Sequence, residues 1–291
     1  MRVLLTRRFS AFHLTASDSR VLGFEVIVAL ASAIRHTPFI YNILAGRFGD
    51  RVAGYAPAHR LLLCFALRRA AVILVSNQAM AEHVRGLPLL SQVMVRVVGC
   101  RLPLGVPPQT DPDLAQFLHG GDPSIVAVGS LRTVYGFDLL IQACTLLGGS
   151  GCTPRILAIV SGRADPDAEA ALERALGAAG DRVEMRTCHD LPRAIVLGAI
   201  QAADVLARPT RADGDSLSIH EALALGTPAV ASDVVPRPDG VVMCRNEDPE
   251  SLAEAIRTAR SLHREPLGDA GETVVDRILA CYEAVLGART C

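Results

Sequence analysis

Short apolar runs rich in Val and Ile alternate with longer Ala- and Leu-rich stretches along the chain, and no other feature constrains the fold as much. A strand covered on both faces reads as a continuous apolar run, and parallel neighbours need helical crossovers between them. The alternation is therefore the pattern of β-α units around a parallel sheet. In the first part, the candidate strands are "MRVLL", "FHLTAS", "FIYNIL", "AVILVS" and "MVRVVG". Helices are expected near Phe24–Ile34 and Ala58–Arg69, and another after Ser76. Pro, Gly and Asp then crowd "LPLGVPPQTDPD" from Leu102, which reads as a linker. From Ser124 onward the alternation is more regular, running from the strand "SIVAVGS" to the last helix "GETVVDRILACYEAVLGA". Such doubly wound domains bind ligands outside the carboxyl ends of their strands.

A length of 291 residues fits two domains of modest size, and 50% hydrophobic against 20% charged residues allows packed cores. The net charge of -1 and the 4% aromatic content, with no Trp, argue against a nucleic-acid partner. The eight cysteines show neither C-x-x-C spacing nor zinc-ligand grouping with His, as expected of reduced thiols in a cytoplasmic protein. No signal-peptide pattern opens the chain. The apolar run from Val21 is short and contains Glu25, and the one from Leu61 is broken by Arg68 and Arg69, so no membrane-spanning helix is expected. Basic residues flank both runs, which leaves peripheral contact with a membrane open.

The densest polar chemistry is in "PTRADGDSLSIHEALALGTPAVASD" from Pro209. The first turn of a helix leaves backbone N–H groups without internal partners, and with the helix dipole they form an anion site. Gly214 lets the chain turn closely, and Ser216 or Asp215 is placed to cap. A diphosphate fits the amides of Ser216, Leu217 and Ser218. Glu221, a turn further on, can accept two hydrogen bonds from a vicinal diol such as a ribose. The alternative is an ordinary capped helix.

The run "ADVLARPTRADGDSLSIHEALALGTPAVASD", with "VAVGSLRTVYGFDLLIQA" and "LPRAIVLGAIQAADVLARPT", resembles the retaining glycosyltransferases of family 4, which have the GT-B fold. The family carries E-x7-E: Glu221 matches its second Glu, and Asp213 stands at the first as a shorter carboxylate. The resemblance implies an α/β chain of two Rossmann-like, doubly wound parallel-sheet domains facing a cleft, the first incomplete. The expected boundaries are 1–105 for the acceptor-side domain, 106–122 for the linker, 123–268 for the nucleotide-sugar domain, and 269–291 for a helix packing back on the first domain. It further implies transfer of a sugar from a nucleotide-sugar donor to an acceptor hydroxyl with retention, in polysaccharide or glycolipid synthesis. The acceptor would be a sugar or a lipid-linked sugar, reached in the cytoplasm or at the inner face of the cell membrane.

By the same resemblance, Gly129, Ser130, Arg132, Asp213, Gly214, Asp215, Ser216, Leu217, Ser218 and Glu221 hold the donor. Asp213 and Arg132 act on the reacting sugar and its diphosphate, and neither a cofactor nor a metal is needed. The chain departs from the family's GR-x4-KG pattern in "GSLRTVYG", with Ser130 at the Arg position and Tyr135 at the Lys position. Arg132 is placed to supply the missing charge, or is an exposed loop residue. Asp213 and Asp215 spell D-x-D, which a metal-dependent transferase would use, but their place before a helix N-terminus argues for a metal-free site. His13 and Asp18 lie near a strand end, with strand-end packing as the plainer reading of His13. A non-catalytic or truncated nucleotide-sugar-binding homologue and a nucleotide-sugar epimerase on the same fold are the competing readings.

Overall fold

The structure, a computed structural model, describes residues 9–16, 22–44, 46, 48–148, 153–262, 265–268 and 272–287. "MRVLL" and Asp18 lie outside the described residues. The chain divides into two compact units: Met1–Arg101 with Asp213–Asp215 and Glu272–Cys291, and Leu102–Ala212 with Ser216–Gly271.

The first unit holds a four-stranded parallel sheet, order β1-β2-β3-β4, from Phe12–Ala16, Phe39–Ile43, Ala70–Val75 and Val95–Val97. Among the described residues, four helices connect these strands: α1 (Leu22–Arg35), α2 (Phe48–Ala53), α3 (Pro57–Leu67) and α4 (Gln78–Arg85). Alternate side chains of the strands serve two cores. Phe39, Tyr41, Ile43, Ile73 and Val75 pack with the connecting helices on one face. Ile40, Val72, Leu74 and Val98 face Val274, Ile278, Cys281 and Val285 of the last helix on the other. Burial on both faces is why these strands read as unbroken apolar runs.

The second unit opens with α5 (Pro112–His119), which lies inside the stretch expected to be a linker. Asp111 caps it, accepting from the N–H groups of Asp113 and Leu114, and Leu114 and Leu118 are buried. The Pro-Asp signals in this stretch were helix-start chemistry, with Pro at the first turn. The unit continues with β5 (Ser124–Gly129), α6 (Phe137–Leu147), β6 (Arg155–Val160), α7 (Pro166–Ala179) and β7 (Glu184–His189). It ends with α8 (Arg193–Ala202), β8 (Val205–Arg208), α9 (Leu217–Leu225), β9 (Ala229–Ser232), β10 (Val242–Cys244) and α10 (Pro249–Arg260). The last helix, α11 (Val274–Gly287), returns to the first unit.

The six strands of the second unit are all parallel, in the order β10-β9-β8-β5-β6-β7. The chain winds outward from β5 through β6 to β7, then crosses back to β8 and winds the other way. The reversal places a topological switch point between β5 and β8, and the crevice beyond their carboxyl ends is where such sheets bind ligands. Among the described residues, no helix is long and apolar enough to cross a membrane.

Candidate functional site

Two loops border the β5/β8 crevice, and both are shaped by close contacts. After β5 the chain runs through Gly129, Ser130 and Arg132 into a short turn, Thr133–Tyr135. A Cβ on Gly129 would lie 2.2 Å from the Tyr135 ring, so the ring can close over the strand end only because position 129 has no side chain. Gly136 follows at φ +69°, and a Cβ there would meet the Pro209 carbonyl oxygen at 2.0 Å. Glycine is required at this position both for its conformation and for the close approach of the second loop.

The two loops are tied together by Arg211. Its guanidinium donates to both carboxylate oxygens of Asp138, at 3.0 and 2.8 Å, and to the Thr133 carbonyl at 2.6 Å. Glu247 accepts from its Nε at 3.1 Å, and the Arg211 backbone N–H donates to the Val134 carbonyl at 2.8 Å. A fork held in this way is more rigid than a single ion pair. Arg208, at the end of β8, lies over the Tyr135 ring, 5.0 Å from its centroid, and donates to the Val128 carbonyl at 2.9 Å. Arg132 is exposed, and its backbone N–H donates to the Ser130 carbonyl at 2.7 Å.

The start of α9 differs from expectation. The Ser216 side chain forms no cap. Asp215 accepts from the Cys100 backbone N–H at 3.0 Å. Ser216 occupies the capping position without a side-chain cap, its Oγ 3.1 Å from the Ser218 Oγ, and both serines are buried. The reason lies in the neighbourhood of Asp213–Asp215. Asn77 Nδ2 donates to the Gly214 carbonyl, and a Cβ on Gly46 would lie 2.6 Å from the Asp213 carbonyl carbon. This three-residue segment is held by the first unit, and Asp215 is turned toward Cys100. Asp213 accepts from the N–H of Gly214 at 3.0 Å.

Glu221 is buried in the second turn of α9. Arg193, at the start of α8, meets its Oε1 at 2.7 Å, and donates to the Leu104 and Pro103 carbonyls at 3.1 and 3.2 Å. Burial pushes the Glu221 carboxyl above its ordinary pKa, and Arg193 works against that shift. The carboxylate is thus fixed through one oxygen by a guanidinium that is itself anchored to backbone. Of the other residues singled out, His13 bonds Tyr282 Oη through Nδ1 at 2.7 Å, which is strand-end packing. Arg193, Arg208 and Arg211 were not anticipated. Their only sequence signal was position, each at or just beyond the end of a strand or at the start of a helix.

Residues 122–261 match the family described as "Glycosyl transferases group 1". No curated protein sequence matches. Among solved structures, a sucrose-phosphate synthase from Thermosynechococcus elongatus is similar at 17% identity and TM-score 0.65, covering 97% of this chain and 72% of that one. HepE of Anabaena in complex with UDP-glucose is similar at 17% identity and TM-score 0.66, covering 94% and 74%. A UDP-forming α,α-trehalose-phosphate synthase from Burkholderia xenovorans, in complex with glucose-6-phosphate, is similar at 15% identity and TM-score 0.67, covering 97% and 72%. With two parallel-sheet, Rossmann-like domains and these neighbours, the chain has the GT-B fold, and its residues 122–261 match glycosyl transferases group 1.

Proposed function

We propose that the protein is a retaining, metal-independent glycosyltransferase that moves a sugar from a nucleoside-diphosphate donor to an acceptor hydroxyl. The observation that carries this reading is the start of α9: a helix N-terminus beside the β5/β8 switch point, with a buried and anchored Glu221 one turn along. The first-turn amides of Ser216, Leu217 and Ser218 receive the diphosphate, as helix N-termini favour anions. Glu221 accepts from the ribose hydroxyls through the oxygen that Arg193 leaves available. Arg132, beside Gly129 and Ser130, neutralises the diphosphate as it leaves, and Asp213 and Gly214 face the donor sugar. In the transfer, the bond from the anomeric carbon to the diphosphate breaks and the bond to the acceptor oxygen forms. The acceptor's proton leaves with the departing diphosphate. Asp213 and Asp215 already accept backbone N–H bonds, which favours their service to the loop over service to a cation.

The acceptor in this reading is a sugar or a lipid-linked sugar, in polysaccharide or glycolipid assembly on the cytoplasmic side of a membrane. UDP-sugars are the first donors to test, because the neighbouring HepE structure contains UDP-glucose. The experiment is a donor screen by calorimetry, then product analysis by NMR in the presence of EDTA. Binding of one nucleoside diphosphate and an α-linked product from an α-linked donor are expected. Absence of binding to every common nucleoside diphosphate would sink the reading. Full loss of activity in EDTA, restored by Mg²⁺ or Mn²⁺, would remove the metal-free mechanism. A second reading, binding of a nucleotide sugar without transfer, is favoured by Ser130 and Tyr135, which stand where the family pattern has basic residues. Tight donor binding with no turnover for any acceptor would select it.

A further inference from the structure

Helices α1 and α3 pack side by side against the first sheet, and each turns apolar side chains outward as well as inward. Phe24, Leu30 and Ile34 of α1 and Leu61, Leu62 and Phe65 of α3 are each between 44% and 65% exposed. Leu30 and Ile34 are one turn apart, as are Leu61 and Phe65, so each pair lies on a single helix face. Large apolar residues scattered singly are ordinary on a protein surface. Six of them on two adjacent helices form a patch that marks an interaction site.

Charge identifies what the patch faces. The only acid on either helix is Glu25, which is buried and accepts from Tyr41 Oη at 2.8 Å. The cations are at the ends: Arg35 closes α1, Arg60 lies in α3, and the exposed Arg68 and Arg69 follow one turn beyond Phe65. From residue 22 to residue 69 the sequence has six arginines and two acids, Glu25 and Asp50, whereas the whole chain balances 29 basic residues against 30 acidic ones. The chain has no lysine. Guanidinium is weakly hydrated and grips phosphate with two parallel bonds, so arginine suits a phosphate-bearing surface. Apolar side chains that reach the acyl boundary, rimmed by cations at headgroup level, are the requirements for interfacial membrane binding. A second copy of the same face would set arginines against arginines with no exposed acid on either helix to pair them, which disfavours self-association.

We infer that α1 and α3 form a docking surface for a bilayer containing anionic phospholipid. Phe24, Leu30, Ile34, Leu61, Leu62 and Phe65 enter the interface, and Arg35, Arg60, Arg68 and Arg69 pair with headgroup phosphates. The surface is independent of the nucleotide reading, so loss of vesicle binding and loss of donor binding are separate results.

The test is co-sedimentation of the full chain with vesicles of phosphatidylcholine alone, or of equimolar phosphatidylcholine and phosphatidylglycerol. Binding to the anionic vesicles is expected to exceed binding to the neutral ones at least tenfold and to fall as salt is raised. Replacing both Arg68 and Arg69 by Gln should weaken it roughly thirtyfold, at about fivefold for each arginine. Phe65→Asp should abolish it. All three positions are exposed, so circular dichroism and melting temperature should match the unsubstituted protein, and nucleoside-diphosphate affinity should not change. Three results would each overturn the assignment. One is equal binding to both vesicle types. Another is no binding to either. The third is a dimer in sedimentation equilibrium that Phe65→Asp converts to monomer while vesicles are ignored, which would give the face to a second copy of the chain.

Discussion

Replacing Glu221 with Ala tests the donor site most directly. The carboxylate is buried, with Oε1 held at 2.7 Å by Arg193, so in the proposed site Oε2 is the oxygen that meets a ribose. A hydrogen bond to a charged acceptor contributes about 1.5–3 kcal/mol, which corresponds to roughly 10- to 150-fold in Kd for the single bond lost. The fold itself should survive. Arg193 is 36% exposed at its side chain and keeps the Leu104 and Pro103 carbonyls, so leaving it without Glu221 costs about 1 kcal/mol or less. Calorimetry with the nucleoside diphosphate reads the first effect and thermal unfolding without ligand reads the second. Ligand at about 100 times the wild-type Kd should add about 2.7 kcal/mol to the wild type and roughly 0.3–1.4 kcal/mol to the variant. Glu221→Gln keeps the shape and should recover part of the affinity. Unchanged affinity in a folded Glu221→Ala protein would refute the role given to this residue, and with it the reading of the α9 start as a nucleotide site.

Arg193→Ala should make stability depend more steeply on pH. Burial already raises the Glu221 carboxyl above its ordinary value of 4.5, so its contribution to stability is full below 4.5 and is lost as pH rises through the folded pKa. Without Arg193 that loss deepens, and the melting temperature should fall further below wild type at about pH 7.5 than at about pH 5. Adding Glu221→Gln should remove the extra slope, and a slope that persists would clear Glu221 as its source. Gly136→Ala forces a left-handed residue and a 2.0 Å approach to the Pro209 carbonyl, so urea unfolding should show a loss exceeding the roughly 1–2 kcal/mol of the conformation alone. A neutral outcome would mean that the loops after β5 and β8 are free to separate. Arg132→Ala should weaken the nucleoside diphosphate more than the bare nucleoside, and equal losses would return Arg132 to an ordinary surface position.

The parts of this protein that could be read from sequence are those whose causes are local. "FIYNI", "AAVILV", "SIVAVG" and "RILAIV" announce strands because both faces of each are buried, and the amphipathic stretches between them announce crossover helices. The start of α9 as a helix N-terminus was legible because a Gly and small polar residues precede an apolar helical run within a few positions. A helix over Pro112–His119 was missed because Pro and Asp signal a turn and a helix start equally well, and only the burial of Leu114 and Leu118 separates the two. Tertiary structure alone decided the pairings. Asp215 could cap its own helix by propensity, yet it bonds the N–H of Cys100, 115 positions away in the chain. Arg193 reaches Glu221, and Arg211 reaches Asp138, because the sheet order puts their strands and helices side by side. Periodicity and capping are properties of a few consecutive residues, whereas an ion pair belongs to whichever elements the packed core brings together.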